Sequence, residues 1–105
     1  MSVIMTLRAA GDADELERRA AQNPEAMRSI ADRAKEHGLI AHRFYGSEAK
    51  IMVVDEWPDA ESFQRFFEQM RPEIEPMMRE VGVTGEPEVT FWRKLDTHDE
   101  VGWEA

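Results

Sequence analysis

The chain contains no cysteine. That excludes disulfides, a thiol nucleophile and any cysteine-ligated metal. Long apolar runs are missing as well: no window approaches the ~18 apolar residues of a membrane span. The N-terminal stretch MSVIMTLRAAGDADE has one short apolar run, and acids follow at once. It lacks the basic start and long apolar segment of a signal peptide. A cytoplasmic protein with no membrane partner is the expectation. Positive charge is scarce too. Thirteen Lys and Arg face 22 Asp and Glu, for a formal net charge of −9. Binding to a phosphate backbone requires clustered basic side chains that displace counterions. These are scattered among acids, so nucleic acid is a poor partner.

Strong motifs are also lacking. There is no GxGxxG, P-loop, HExxH or GxSxG. His37, His42 and His98 do not fall at the spacing of a local metal site. Asp96, His98, Asp99 and Glu100 are weak chelators in a polar stretch that reads as a solvated tail. No metal is expected.

What is present is a regular alternation of patterns over 105 residues, a length that suits one domain. Four strand-like runs stand out: Val3 to Arg8, Leu39 to Tyr45, Lys50 to Glu56 and Glu88 to Leu95. A helical region spans about Asp14 to His37, with Met27, Ile30, Ala31 and Ala34 on one face. Asn23-Pro24 interrupts it, giving either a kinked helix or two helices in series. Asp59 caps a second helix that buries Phe63, Phe66, Phe67 and Met70. Pro72 and Pro76 predict a break there. A short third helix then carries Ile74, Met77, Met78 and Val81, and Gly82 ends it.

The resulting order is β-α-β-β-α-β: a ferredoxin-like α+β domain with a four-stranded antiparallel sheet and helices on one face. The domain covers residues 1–95, and residues 96–105 form an acidic tail. The strands do not alternate cleanly between apolar and polar residues. Val3, Ile4, Met5 and Leu7, the run Ile51 to Val54, and Val89, Phe91 and Trp92 all look apolar on both faces. Leaving about eight such side chains in water forfeits roughly 1.5–3 kcal/mol apiece. A second copy of the sheet in a two-fold homodimer is the simplest cover.

An even-numbered loop within Gly46 to Ala49 places Tyr45 opposite Lys50, Phe44 beside Ile51, His42 beside Val53 and Ile40 beside Asp55. Phe44, Ile51, His42, Val53, Ile40 and Asp55 share a face with Trp57. It is the more apolar face, so it meets Phe63, Phe66 and Phe67. Ala41, Arg43, Tyr45, Met52, Val54 and Glu56 face the other way. His42 is then either a core histidine or a proton acceptor in an apolar pocket, where burial favours the neutral ring that a base needs. Asp55 orients it or hydrogen-bonds a substrate hydroxyl. Phe44, Trp57, Phe63 and Phe67 are candidate walls for a small aromatic molecule. Trp57 is equally a packing wedge at the joint of strand and helix. Trp92 stacks on a planar ligand or on a partner subunit. Arg43 and Arg93 are candidates to stabilise a developing anion.

The stretch IMVVDEWPDAESFQRFF resembles the segment that marks antibiotic biosynthesis monooxygenase-like proteins, of the dimeric α+β barrel superfamily. Their pattern is an apolar strand, an acid, one residue, an aromatic, a polar turn and a helix start. Asp55, Trp57, Glu61, Ser62 and Phe63 occupy those places. Together with length and element order, the likeness covers about residues 2–95. It implies a homodimer whose sheets close into a barrel, with a pocket between sheet and helices in each subunit. Some members oxidise phenolic polyketide intermediates with molecular oxygen and no cofactor. Others degrade haem, are isomerases or have no assigned reaction. The haem-degrading branch fits poorly. The first strand has no asparagine, Phe66 stands where that branch has tryptophan, and Pro76 stands where it has its haem-ligating histidine. Two functions remain: a cofactor-independent monooxygenase acting on a phenol- or quinol-like substrate, with His42 and Asp55 catalytic, and a non-catalytic small-molecule-binding or stress-associated dimer.

Overall fold

A computed structural model describes residues 1–103. The elements are β1 (Val3–Ala10), α1 (Ala13–Gln22), α2 (Pro24–Glu36), β2 (Ala41–Ser47), β3 (Lys50–Trp57), α3 (Ala60–Glu80) and β4 (Glu88–Trp92). The sheet runs β2-β3-β1-β4, and every pairing is antiparallel. This is the expected ferredoxin-like α+β arrangement.

Side-chain chemistry sets the element ends. The Asp12 carboxylate accepts from the Glu15 N–H at 3.0 Å and starts α1. Asn23 does two jobs. Its backbone N–H closes α1 on Arg19, and its side chain accepts from Ala26 N–H to open α2. Asn23-Pro24 therefore separates two helices. Gly38 and Gly82 follow α2 and α3 with φ of 106° and 88°. Leu39 and Val83 then donate back to Ala34 and Met78, which satisfies the last-turn carbonyls through a left-handed residue.

Several boundaries differ from the sequence reading. The predicted second and third helices are one helix, α3, continuous through Pro72 and Pro76. β2 begins at Ala41, and β4 stops at Trp92. The β2–β3 loop holds only Glu48 and Ala49, so Tyr45 pairs with Met52 and His42 with Asp55. The register is therefore two residues away from the expected one. A shift of two preserves every side chain's face, because strand side chains alternate with period two. Residues 93–103 carry no regular structure and are exposed. Glu104 and Ala105, the end of the expected acidic tail, lie outside the described residues.

The core lies between sheet and helices. Met5, Leu7, Trp57, Ala34, Phe63, Phe66, Met70 and Ile74 form its main cluster. Ile51, Val81 and Val83 form a second. α3 supplies most of the burial; α2 buries only Ala34, and α1 buries nothing fully. The opposite face of the sheet is less apolar than expected. Val3, Met5, Leu7, Val89 and Phe91 turn out to share the helix side, through the pairings Val3–Trp57, Met5–Asp55, Leu7–Val89 and Met5–Phe91. Ile4, Tyr45, Met52, Val54 and Trp92 remain on the far side. No helix is long and apolar enough to cross a membrane.

Candidate functional site

The β2–β3 register puts His42 directly across from Asp55 on the helix side. Trp57, two residues on, shares that face. Asp55 is one of two buried polar residues in the core, 5% exposed. A buried carboxylate is stable only when its oxygens find donors. Here both do. Oδ1 lies 2.7 Å from His42 Nδ1, and Oδ2 accepts from Trp57 Nε1–H at 3.0 Å. An ionised carboxylate can only accept, so Nδ1 of His42 carries the proton. In the neutral ring, Nε2 then holds a free lone pair. Among the described residues, no hydrogen-bond partner engages Nε2.

His42 itself is less enclosed than expected; its side chain is 31% exposed. β2 is an edge strand, and the thinly packed α1 and α2 leave it partly uncovered. Phe44 meets the imidazole edge-on at 5.1 Å. Behind this pair lies an apolar cavity of about 110 Å³. His42, Phe44, Val53 and Asp55 line it from the sheet, Phe63, Phe66 and Phe67 from α3, and Ile30, Ala31 and Ala34 from α2. Phe63 and Phe67 stack at 5.5 Å along one wall.

Five of the seven candidate residues thus converge: His42, Asp55, Phe44, Phe63 and Phe67. Two do not. Trp57 is fully buried and packs on Phe63 and Phe66, with ring centroids 5.7 and 5.6 Å away. It is absent from the cavity wall, so it is the wedge and not a ligand platform. Trp92 pairs with Ile4 and so shares the far face, where its indole donates to Thr6 Oγ1 at 2.8 Å. The sheet itself separates it from the cavity. Arg43 also lies on the far face, donating to the Tyr45 hydroxyl at 3.3 Å, and neither it nor Arg93 lines the cavity.

The sequence reading missed two features. Met27, Met77 and Met78 also line the cavity. Their helical spacing marked them as inward-facing, but spacing alone does not separate a core position from a cavity wall. The Trp57–Asp55 hydrogen bond was also missed, although an Asp-x-Trp on one strand necessarily places the two side chains on the same face. Among the described residues, no group of three or more His, Cys, Asp or Glu could hold a metal ion.

No protein-family model and no curated protein sequence matches the chain. Solved structures do. SnoaB, a cofactor-independent oxygenase from Streptomyces nogalater, superposes with a TM-score of 0.62 at 17% identity, covering 94% of this chain and 98% of that one. A dimeric ferredoxin-like protein from an uncultured marine organism gives 0.63 at 17%, covering 90% and 89%. The ActVA-Orf6 monooxygenase of Streptomyces coelicolor, in complex with the ligand nanaomycin D, gives 0.59 at 14%, covering 91% and 88%. The chain shares their ferredoxin-like fold. The resemblance read from IMVVDEWPDAESFQRFF therefore has a three-dimensional counterpart. At these identities the likeness is one of fold, and the chemistry has to be argued from the side chains of this chain.

Proposed function

We propose that the protein is a cofactor-independent monooxygenase that oxidises a small phenol- or quinol-like aromatic with molecular oxygen, and that it works as a homodimer. The observation that carries this reading is the Trp57–Asp55–His42 chain, with Nε2 of His42 unpartnered among the described residues and His42 itself lining an aromatic-walled apolar cavity. The oxygenase activity of the structural neighbour SnoaB agrees with it.

Each part has a chemical task. His42 Nε2 accepts the proton of the substrate. Asp55 is a positioning residue: it fixes the ring orientation and stabilises the imidazolium that forms. The apolar walls exclude water, so the resulting anion stays electron-rich. The anion transfers an electron to oxygen, and the radical pair combines to a peroxide. Loss of water then leaves a carbonyl. One oxygen atom ends in the product and the other in water. The substrate carbon supplies all four electrons, so no further reductant is needed.

The test is an oxidation screen of hydroxyquinols and alkylphenols, with and without oxygen, comparing wild type with His42→Ala. Oxygen-dependent product from the wild type is expected, and loss of the base lowers kcat about 10²–10⁴-fold. Equal rates in the two proteins remove His42 from the mechanism. No turnover by the wild type leaves a binding protein.

A further inference from the structure

We propose that the cavity selects uncharged, one-ring aromatic molecules whose polar groups sit on a single edge, the edge that meets His42, with an apolar body opposite. This rests on reading the cavity as the ligand site, and it narrows the substrate class of that site.

Three observations carry it. The first is the polar inventory. Among the described residues, His42 and Asp55 are the only ones with polar side chains in the cavity wall. Both Asp55 oxygens are already committed, one to His42 and one to Trp57. That leaves Nε2 as the wall's side-chain nitrogen with no partner among the described residues, on a side chain that is 31% exposed. A hydroxyl placed there is satisfied by the ring or by water. A polar group elsewhere on the ligand meets apolar side chains, the flexible Met27, Met77 and Met78 among them.

The second is charge. No Lys or Arg lines the cavity. Arg71 lies over the Phe67 ring at 5.0 Å, but it is paired with Glu75 and is not part of the wall. The one ionisable group in the wall besides His42 is an acid, Asp55. A carboxylate or phosphate on the ligand would therefore be buried without a counter-charge, beside an acid, which is strongly disfavoured.

The third is size. The cavity is about 110 Å³. An apolar void of ~150 Å³ takes benzene. One ring thus fits with a modest widening, and two or three fused rings do not. Unbranched methionine side chains are the wall elements that can move to admit it.

The experiment is anaerobic binding to the wild-type protein, read by calorimetry and by protein NMR shifts, with a matched series. 4-Ethylphenol, ethylbenzene and 4-hydroxybenzoate share a ring and differ by one group each. We expect 4-ethylphenol to bind with shifts on His42, Phe63 and Phe67. We expect 4-hydroxybenzoate to bind at least about 100-fold more weakly, and ethylbenzene roughly tenfold more weakly. Within the His42→Leu variant, 4-ethylphenol should bind no tighter than ethylbenzene. Equal binding of the carboxylate overturns the proposal, as does failure of 4-ethylphenol to bind the folded wild type. Because oxygen is absent, the outcomes separate. Binding without aerobic turnover sinks the oxygenase reading and leaves this one standing. Turnover of a carboxylated substrate does the reverse.

Discussion

Asp55 matters because it is buried with only one donor for each oxygen. Each of its oxygens has one donor, and the two donors come from different strands. Removing either donor leaves an acceptor stranded in the core. Trp57→Phe tests this most cleanly, since it keeps a ring against Phe63 and Phe66 but deletes the N–H. We expect a loss of about 1–3 kcal/mol from the unsatisfied oxygen, plus a smaller packing loss, read as a lower urea midpoint with unchanged slope. Turnover should fall as well, because a freed carboxylate no longer holds the imidazole. A variant as stable and as active as wild type would sever Trp57 from the site. At this scale the sequence was only partly legible. Period-two alternation put His42, Phe44, Asp55 and Trp57 on one face, and an error of two in register left that assignment intact. Trp92 was left between a ligand and a partner subunit because its facing depends on which β1 residue it pairs with, and nothing local to β4 states that. The role of Trp57 depends on a rotamer that turns its indole back to Asp55, which spacing cannot specify.

At the scale of the element, α3 shows how tertiary packing overrides local propensity. Pro72 and Pro76 lack the N–H that would bond the carbonyls of Glu68 and Pro72. Those three residues fall at four-residue intervals, on one exposed stripe. The orphaned carbonyls face water, while Phe63, Phe66, Met70 and Ile74 anchor the opposite face. A proline pair therefore reads as a break in sequence but costs the helix only propensity. Pro72→Ala should restore the missing bond. Interior proline is ~3 kcal/mol poorer than alanine, and its stiffening of the unfolded chain offsets ~0.4–1 kcal/mol of that. We expect a net gain of about 2 kcal/mol, measured as a higher urea midpoint. A loss would mean that the proline stripe is packed against something in solution.

The start of α3 behaves differently. The Asp59 carboxylate accepts from the Ser62 N–H at 2.8 Å. This bond to the backbone, aided by the Ser62 side chain, holds its pKa below the ordinary 3.8. The folded state thus favours the ionised form. The stabilisation is complete above the ordinary value and disappears as pH falls through the lowered one. Asparagine caps without titrating. Asp59→Asn should therefore lose less stability than wild type between about pH 5 and pH 2 in parallel urea titrations. Identical acid profiles would show that the cap does not titrate with folding.

For the whole molecule, the sheet's far face decides the assembly. Ile4, Tyr45 and Trp92 there are 36%, 45% and 51% exposed, and Met52 and Val54 sit half-buried between them. Most charge lies toward the margins of this patch: Arg8 pairs with Glu88 toward one end, Glu56 lies at the other, and Arg43 sits on the edge strand β2, donating to the Tyr45 hydroxyl. An apolar centre with a charged rim is the anatomy of an interface. A two-fold axis through it lets one patch cover its copy. Each chain carries a net charge of −9, so two copies repel at long range. Association should therefore tighten as salt screens that repulsion, since the Debye length falls from ~10 Å at 0.1 M to ~3 Å at 1 M. Sedimentation is expected to show a species of twice the 12.1 kDa chain mass, more fully at high salt. Val54 pairs with Thr6 and Arg43 near the middle of the patch. Val54→Asp puts a carboxylate into that centre, with its copy close by across the axis, and should give monomers that keep the wild-type circular dichroism spectrum. The cavity lies on the other side of the sheet, so ligand binding to this monomer should survive. A wild type that sediments as a monomer at micromolar concentration, at any salt, would remove the argument that a second sheet covers this face.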